Sequence, residues 1–149
     1  MLVGRGRTPR CTPAPLTIQG RRNGPELDPI AWYCGNSGVE YKGGVDFSKW
    51  KDEMQHPARM IGPHPVGLKQ PNPFGLYDMI GNIQEWCQDW FTNYPSHEVT
   101  DPKGSDMGPG RVLRGGDWNA DAANCRSAYR GYDDPGNKGR GFRLARTLP

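Results

Sequence analysis

A single coil-rich domain built from short strands is what this sequence predicts, and three observations predict it. Glycine and proline supply 21 and 15 of the 149 residues, nearly a quarter of the chain, and both interrupt long regular elements, which excludes a helical bundle. Five Trp, six Tyr and four Phe provide large apolar surfaces that disordered chains of similar glycine and proline content lack. The strand-like runs are short and turn-bounded, and at 34% hydrophobic the chain holds material for one modest core.

Charge and cysteine usage narrow the function. The net charge is +3, yet Arg5, Arg7, Arg10, Arg21 and Arg22 all precede Glu26, the first acidic residue. Of 19 basic residues 14 therefore remain against all 16 acidic ones, a net −2 for the rest of the chain. Five scattered arginines read as a solvated terminus, so no nucleic-acid partner is expected. No stretch approaches the roughly 18 apolar residues of a membrane span, and no secretory signal is evident at the start. Cys11, Cys34, Cys87 and Cys125 are widely spaced with no CxxC pair, which argues against a structural zinc site and leaves disulfides open.

In chain order, residues 1–26 are rich in Gly, Pro, Arg and Thr and read as a flexible or divergent segment, with one short strand conceivable at Leu16 to Ile18. The ordered domain is expected over residues 27–149. Asp28 followed by Pro29 has the form of a cap and first position of a short helix. Gly35 to Pro65 carries isolated aromatics, Tyr41, Phe47 and Trp50, without periodicity, and reads as a long structured loop. In Gly81 to Trp90 the tryptophans lie four apart, as on one helix face, but alternation serves a strand equally well and the glycine-rich entry favours the strand. Arg111 to Arg114 and Gly141 to Ala145 are strand-like and are expected to pair with each other.

The ordered segments Asn72-Pro-Phe-Gly-Leu-Tyr-Asp-Met79, Gly81-Asn-Ile-Gln-Glu-Trp-Cys87, Asp89-Trp90, Arg111-Val-Leu-Arg-Gly-Gly116, Cys125-Arg-Ser-Ala128, Arg130 and Gly141-Phe-Arg143 resemble the formylglycine-generating, sulfatase-modifying enzyme family. Leu27 to Asn36 and His64-Pro-Val-Gly67 agree, so the resemblance spans roughly residues 27–147. It implies an α+β fold of the C-type lectin type, a small mixed β-sheet with extensive coil. It also implies chemistry. Active members oxidise a substrate cysteine with copper and two cysteines, a donor set suited to Cu(I). Those cysteines follow the Arg-Gly-Gly segment by four and nine residues, which here are Ala120 and Cys125. A lone thiolate does not reproduce two-sulfur coordination, so copper is not expected, no catalytic residue is assigned, and Cys125 is the residue at stake if the chain is an enzyme. Cys125 otherwise reads as a buried small hydrophobe or a disulfide partner of Cys87.

The family also implies a structural calcium site. Hard cations take carboxylate and carbonyl oxygens, and Asp78 and Glu85 with the carbonyls of Gly81 and Ile83 would supply them. The plainer alternative is that the two carboxylates pair with Arg114, Arg130 or Arg143, or accept backbone amides.

Between Gly116 and Gly141 the chain is thick in Asn, Asp, Ala, Gly, Tyr and Ser, a palette of rigid aromatic contacts and adaptable hydrogen bonds. The stretch resembles the variable region of proteins diversified by retroelements, which share this lectin fold. That likeness implies that Asp117, Asn119, Ala120, Asp121, Ala122, Tyr129, Gly131, Tyr132, Lys138 and Arg140 face a ligand, while Trp118, Cys125, Arg130, Phe142 and Arg143 serve the scaffold. His56, His64 and His97 are expected to be ordinary loop residues. The reading that emerges is a non-catalytic domain recognising a protein or glycan, with a formylglycine-generating or related oxidase as its rival and a purely structural domain of a larger protein as a third option.

Overall fold

The computed structural model describes residues 24–102 and 104–145; the expectations for residues 1–23, including the strand at Leu16 to Ile18, fall outside that range. Helical structure among the described residues is confined to three 3-10 turns, Pro25–Leu27, Lys51–Glu53 and Ala122–Cys125. Five strands follow the same economy: β1 Val45–Asp46, β2 Met60–Ile61, β3 Glu85–Trp90, β4 Arg111–Arg114 and β5 Gly131–Asp133. No helix is long and apolar enough to cross a membrane among these residues.

The helical turn expected to begin at Asp28 lies earlier, with Gly24 in the cap position and Asp28 at its end. Pro25 opens it, pre-set for the first turn by its fixed φ, and the Asp28 amide closes it onto the Pro25 carbonyl. Asp28 is freed to anchor side chains instead. Its carboxylate accepts from Gln55 Nε2 at 2.6 Å and from Asn36 Nδ2 at 3.0 Å, meets His56 Nε2 at 2.7 Å, and receives the Tyr33 hydroxyl at 3.2 Å.

Strands β1 and β2 form an antiparallel ribbon, Val45 opposite Ile61 and Asp46 opposite Met60, inside the segment expected to be wholly loop. Strands β3, β4 and β5 form the second sheet in that order, antiparallel throughout. Val112 and Leu113 are adjacent, point to opposite faces and are both 2% exposed, which is why β4 is the central strand. Across β3 and β4, Glu85 faces Arg114, Trp86 faces Leu113 and Trp90 faces Arg111, with an irregularity between Trp86 and Trp90. The Arg111 guanidinium lies over the Trp90 ring, 4.2 Å from its centroid, a cross-strand cation–π pair.

The expected partnership of Arg111 to Arg114 with Gly141 to Ala145 is corrected by this sheet. β4 has β3 on one side and β5 on the other, so both edges are taken. Gly141 instead makes a parallel bridge to Glu85, exchanging bonds with the Gln84 carbonyl and the Trp86 amide on the far edge of β3. Parallel contacts among the described residues are isolated bridges of this kind, here and at Trp32 to Gly81.

Two clusters form the core. Leu27, Ala31, Tyr33, Ala122 and Cys125 make the first, with Ile30, Ile80 and Ala120 packed on it. Cys34, Phe47, Met54 and Ile61 make the second, flanked by Ala58 and Trp118. Consecutive Tyr33 and Cys34, at the start of a turn, enter different clusters and so tie the two together.

Candidate functional site

The C-terminal stretch leaves β4 through Gly115 and Gly116, both at positive φ, 94° and 73°. A side chain on Gly116 would meet Cys125 Sγ at 2.7 Å, so glycine there lets the chain close over the cysteine. Asp117 then makes an Asx turn, its Oδ1 accepting the Asn119 amide at 3.1 Å. The 3-10 turn Ala122–Cys125 buries its first and last residues against the core.

The ten expected ligand-facing residues differ in exposure. Asn119 and Lys138 are exposed, and Asp117, Asp121 and Arg140 are half-buried. Arg140 bridges two carboxylates, 3.8 Å from Asp117 and 3.2 Å from Asp133, and so fastens the returning loop to β5. The Asp133 carboxyl lies below its usual range because Asn137, the Asp134 amide and Arg140 all donate to it. Tyr132, half exposed, neighbours Asp133 on β5, and strand alternation sends the two to opposite faces. Tyr132 packs on Phe91 at 4.6 Å between ring centroids.

Ala122 corrects the expectation. It is fully buried in the first core cluster, where a side chain on Gly24 would touch its Cβ at 2.8 Å, so it belongs to the scaffold. Ala120 is half-buried against the same cluster, and its carbonyl accepts the Cys34 amide at 3.0 Å. Both alanines lie at the turn where the chain dives inward, which composition alone does not reveal.

Sequence reasoning missed Phe91 and Tyr94. Arg130 is sandwiched near them, its guanidinium 3.7 Å from the Tyr94 centroid and 5.2 Å from that of Phe91, and Arg126 sits 5.7 Å from Tyr129. Tyr94 Oη donates to the Ala128 carbonyl at 3.3 Å. These residues, with Ala128 and Tyr129, line an open aromatic groove of about 300 Å³. The signal available in the sequence was the aromatic content of Phe91 to Tyr94 just after the Asp-Trp motif.

Cys125 is 1% exposed, and Cys87 is half-buried; neither is in a disulfide, which corrects the suggested Cys87–Cys125 bond. Burial, the carboxylates of Asp117 and Asp121, and the Cys34 thiol push the Cys125 thiol up to about 12. In the metal-free chain the thiol is therefore held protonated at neutral pH. Burial also raises the Cys87 thiol.

Of the residues proposed for calcium, Asp78, Gly81 and Ile83 lie on one coil and Glu85 opens β3. Asp78, Gly81 and Asn82 all hold positive φ, 51°, 75° and 61°, winding the backbone tightly. Asp78 is 9% exposed; its Oδ2 accepts the Gly67 amide at 2.7 Å, while its Oδ1 is buried without a partner. Glu85 Oε2 meets Arg143 Nε at 2.7 Å, and Arg143 Nη2 donates to the Asp78 carbonyl at 2.7 Å. Both ion pairing and amide acceptance are thus realised, yet one buried carboxylate oxygen is left over. Ile83 lines the adjoining groove with Asp78 and Glu85.

His64 and His56 hold structural posts. His64 stacks on Trp32 at 3.6 Å between centroids, and its backbone exchanges two hydrogen bonds with the Asn82 amide side chain. Burial lowers its pKa, and His56 is committed to Asp28. Among the described residues no group of three or more His, Cys, Asp or Glu could hold a metal.

Comparison with known proteins agrees with this architecture. The chain is 45% identical over 85 residues to a serine/threonine-protein kinase pkn1 of Chlamydia pneumoniae, covering 52% of this chain and 14% of that protein. It is 40% identical over 107 residues to a formylglycine-generating enzyme of Streptomyces coelicolor, covering 64% and 34%. It thus spans well under half of either relative. Among solved structures, Treponema denticola variable protein 1 superposes with a TM-score of 0.60 at 35% identity, over 78% of this chain and 36% of that one. The fold is accordingly the α+β, C-type lectin-like arrangement. Residues 22–148 match the model of the sulfatase-modifying factor enzyme 1-like domain, and the chain belongs to that formylglycine-generating-enzyme family.

Proposed function

We propose that this domain is a non-catalytic binding module that recognises a protein or glycan ligand through its C-terminal loops, as a variable-type protein would. The observation that carries the reading is the loss of the cysteine pair. Ala120 occupies the first cysteine position, and Cys125 at the second is 1% exposed with its thiol held protonated. A buried thiol is poorly placed to meet a peptide, and one of the two cysteine positions alone does not supply the paired sulfurs implied for copper. The exposed side chains of Asn119, Tyr132 and Lys138, and the half-buried Asp117, Asp121, Tyr129 and Arg140, offer polar and aromatic contacts along these loops.

A second reading, a formylglycine-generating oxidase, is favoured by the identity to enzymes of that name and by the Cys34 thiol, which lies near enough to Cys125 to disfavour its ionisation. Aerobic incubation of the full chain with copper and a cysteine-containing sulfatase-motif peptide separates the two. We expect the peptide to keep its thiol, read by mass; stoichiometric conversion to the aldehyde overturns the binding reading.

A structural calcium ion belongs to the same proposal. The buried, unpartnered Asp78 Oδ1 and the tight coil through Gly81 support it, with Glu85 and the carbonyls of Gly81 and Ile83 as further ligands. Bound there, the ion would supply positive charge that holds the two carboxylates and the coil together. Because a ligand bound to the native state alone raises stability, saturating calcium at about 100 times its Kd adds about 2.7 kcal/mol. The expected result is a thermal midpoint about 5 to 11 °C higher in calcium than in chelator for a chain of this size, and an unchanged midpoint counts against the site.

A further inference from the structure

On one side of the β3–β4 hairpin a cavity of about 540 Å³ is lined by Trp86, Asp89, Val112, Arg114, Arg130 and Arg143, among others. Its size is that of an ordinary small-ligand pocket. Three guanidiniums open on it against one carboxylate of its own, Asp89, since Glu85 outside the lining is already bound to Arg143.

Arg114 and Arg130 are the unusual members. Arg114 Nη1 donates to the carbonyls of Ser127 at 2.7 Å and Tyr129 at 3.4 Å, and Arg130 Nη2 donates to the carbonyl of Thr92. Neutral carbonyls fix where the two side chains point, and the Tyr94 and Phe91 rings flank Arg130, but none of these supplies a counter-anion. No ion pair joins either arginine to a carboxylate among the described residues. Arg130 Nε is buried and has no hydrogen-bond partner. A buried N–H without an acceptor costs free energy that a bound oxyanion would recover, and planar guanidiniums match phosphate oxygens in pairs.

We infer that this cavity binds the phosphate group of a small phosphorylated molecule. Arg114 and Arg130 grip the oxyanion, Arg143 adds charge at the rim, and the Trp86 ring offers an apolar wall to whatever the phosphate is attached to. Asp89, the opposing charge, tunes the affinity downward. The loops of Asp117 to Asp121 do not line this cavity, so the inference stands apart from their ligand.

The test uses the full chain in phosphate-free buffer at constant ionic strength, titrated separately with inorganic phosphate, glucose 6-phosphate and acetate. The readouts are the arginine Nε–H resonances and the thermal midpoint. We expect a saturable shift of the Arg130 Nε–H signal with phosphate or the sugar phosphate and none with acetate. Stronger binding of glucose 6-phosphate identifies a phosphate ester as the ligand, and equal binding identifies free phosphate. Arg114→Lys is expected to weaken binding about tenfold by losing the fork while keeping the charge. Asp89→Asn is expected to strengthen it, an opposite change that a folding defect does not produce. The inference is overturned if about 10 mM phosphate leaves the signal unmoved. It is equally overturned if acetate matches phosphate, or if both variants bind as the parent does.

Discussion

Gly81→Ala is expected to destabilise the domain by about 3 to 5 kcal/mol, a large share of the stability of a domain this size. Two costs combine. Gly81 sits at φ 75°, where a side chain adds strain of about 1 to 2 kcal/mol. A Cβ there would lie 2.2 Å from the Trp32 carbonyl oxygen and 2.9 Å from the Trp32 amide nitrogen, both backbone atoms. Since Gly81 bridges Trp32 and its amide bonds the Gly115 carbonyl at 2.8 Å, relieving the contact means breaking a junction of three chain segments. Urea unfolding of parent and variant at equal calcium checks it. Gly75→Ala is the control, because it removes a glycine at φ 74° with open space around it and should cost only the strain. Equal losses at the two positions would show that strain alone, and not the approach to Trp32, governs Gly81.

How far the sequence discloses this molecule can be argued at Gly81 itself. The Gly-Asn-x-x-Glu-Trp motif marks the coil and the start of β3, because glycine, the αL-tolerant Asn82 and the alternating run after them are local signals. β4 is legible for the same reason, Val112 and Leu113 being enclosed by charged ends. β5 is not: Gly131-Tyr132-Asp133 has little strand propensity and exists because β4 offers an unpaired edge. The partner of Gly141 is equally non-local. At the candidate site, the polar exposed positions Asn119 and Lys138 follow from composition. The burial of Ala122 does not, since alanine suits a surface and a core alike and only the turn's orientation decides. Phe91 and Tyr94 join Tyr132 and Arg130 across more than thirty residues of sequence, a proximity that pairing of three strands creates and no local pattern encodes.

Tyr33→Ala is expected to cost about 3 to 5 kcal/mol, and Tyr33→Phe about 1 to 3, and the gap between them separates packing from hydrogen bonding. Tyr33 is fully buried at the centre of the first cluster, so removing its ring opens a cavity beside Leu27, Ala31 and Cys125. Its hydroxyl accepts the Gly24 amide at 3.1 Å and donates toward Asp28 Oδ1 at 3.2 Å and Gln55 Oε1 at 3.1 Å, one at a time. Burial first, then the Asp28 carboxylate, raises its pKa, so the phenol stays neutral and keeps its proton to donate. Phenylalanine would fill the volume but strand the buried Gly24 amide on weaker partners, Gln55 Oε1 at 3.3 Å being the nearest at hand. If the two variants unfold at the same denaturant concentration, the ring contributes nothing beyond its hydroxyl, and the cluster is not the core. If phenylalanine matches the parent, the Asp28 network organises the entry of the chain without stabilising it, and Asp28→Asn should then be equally silent.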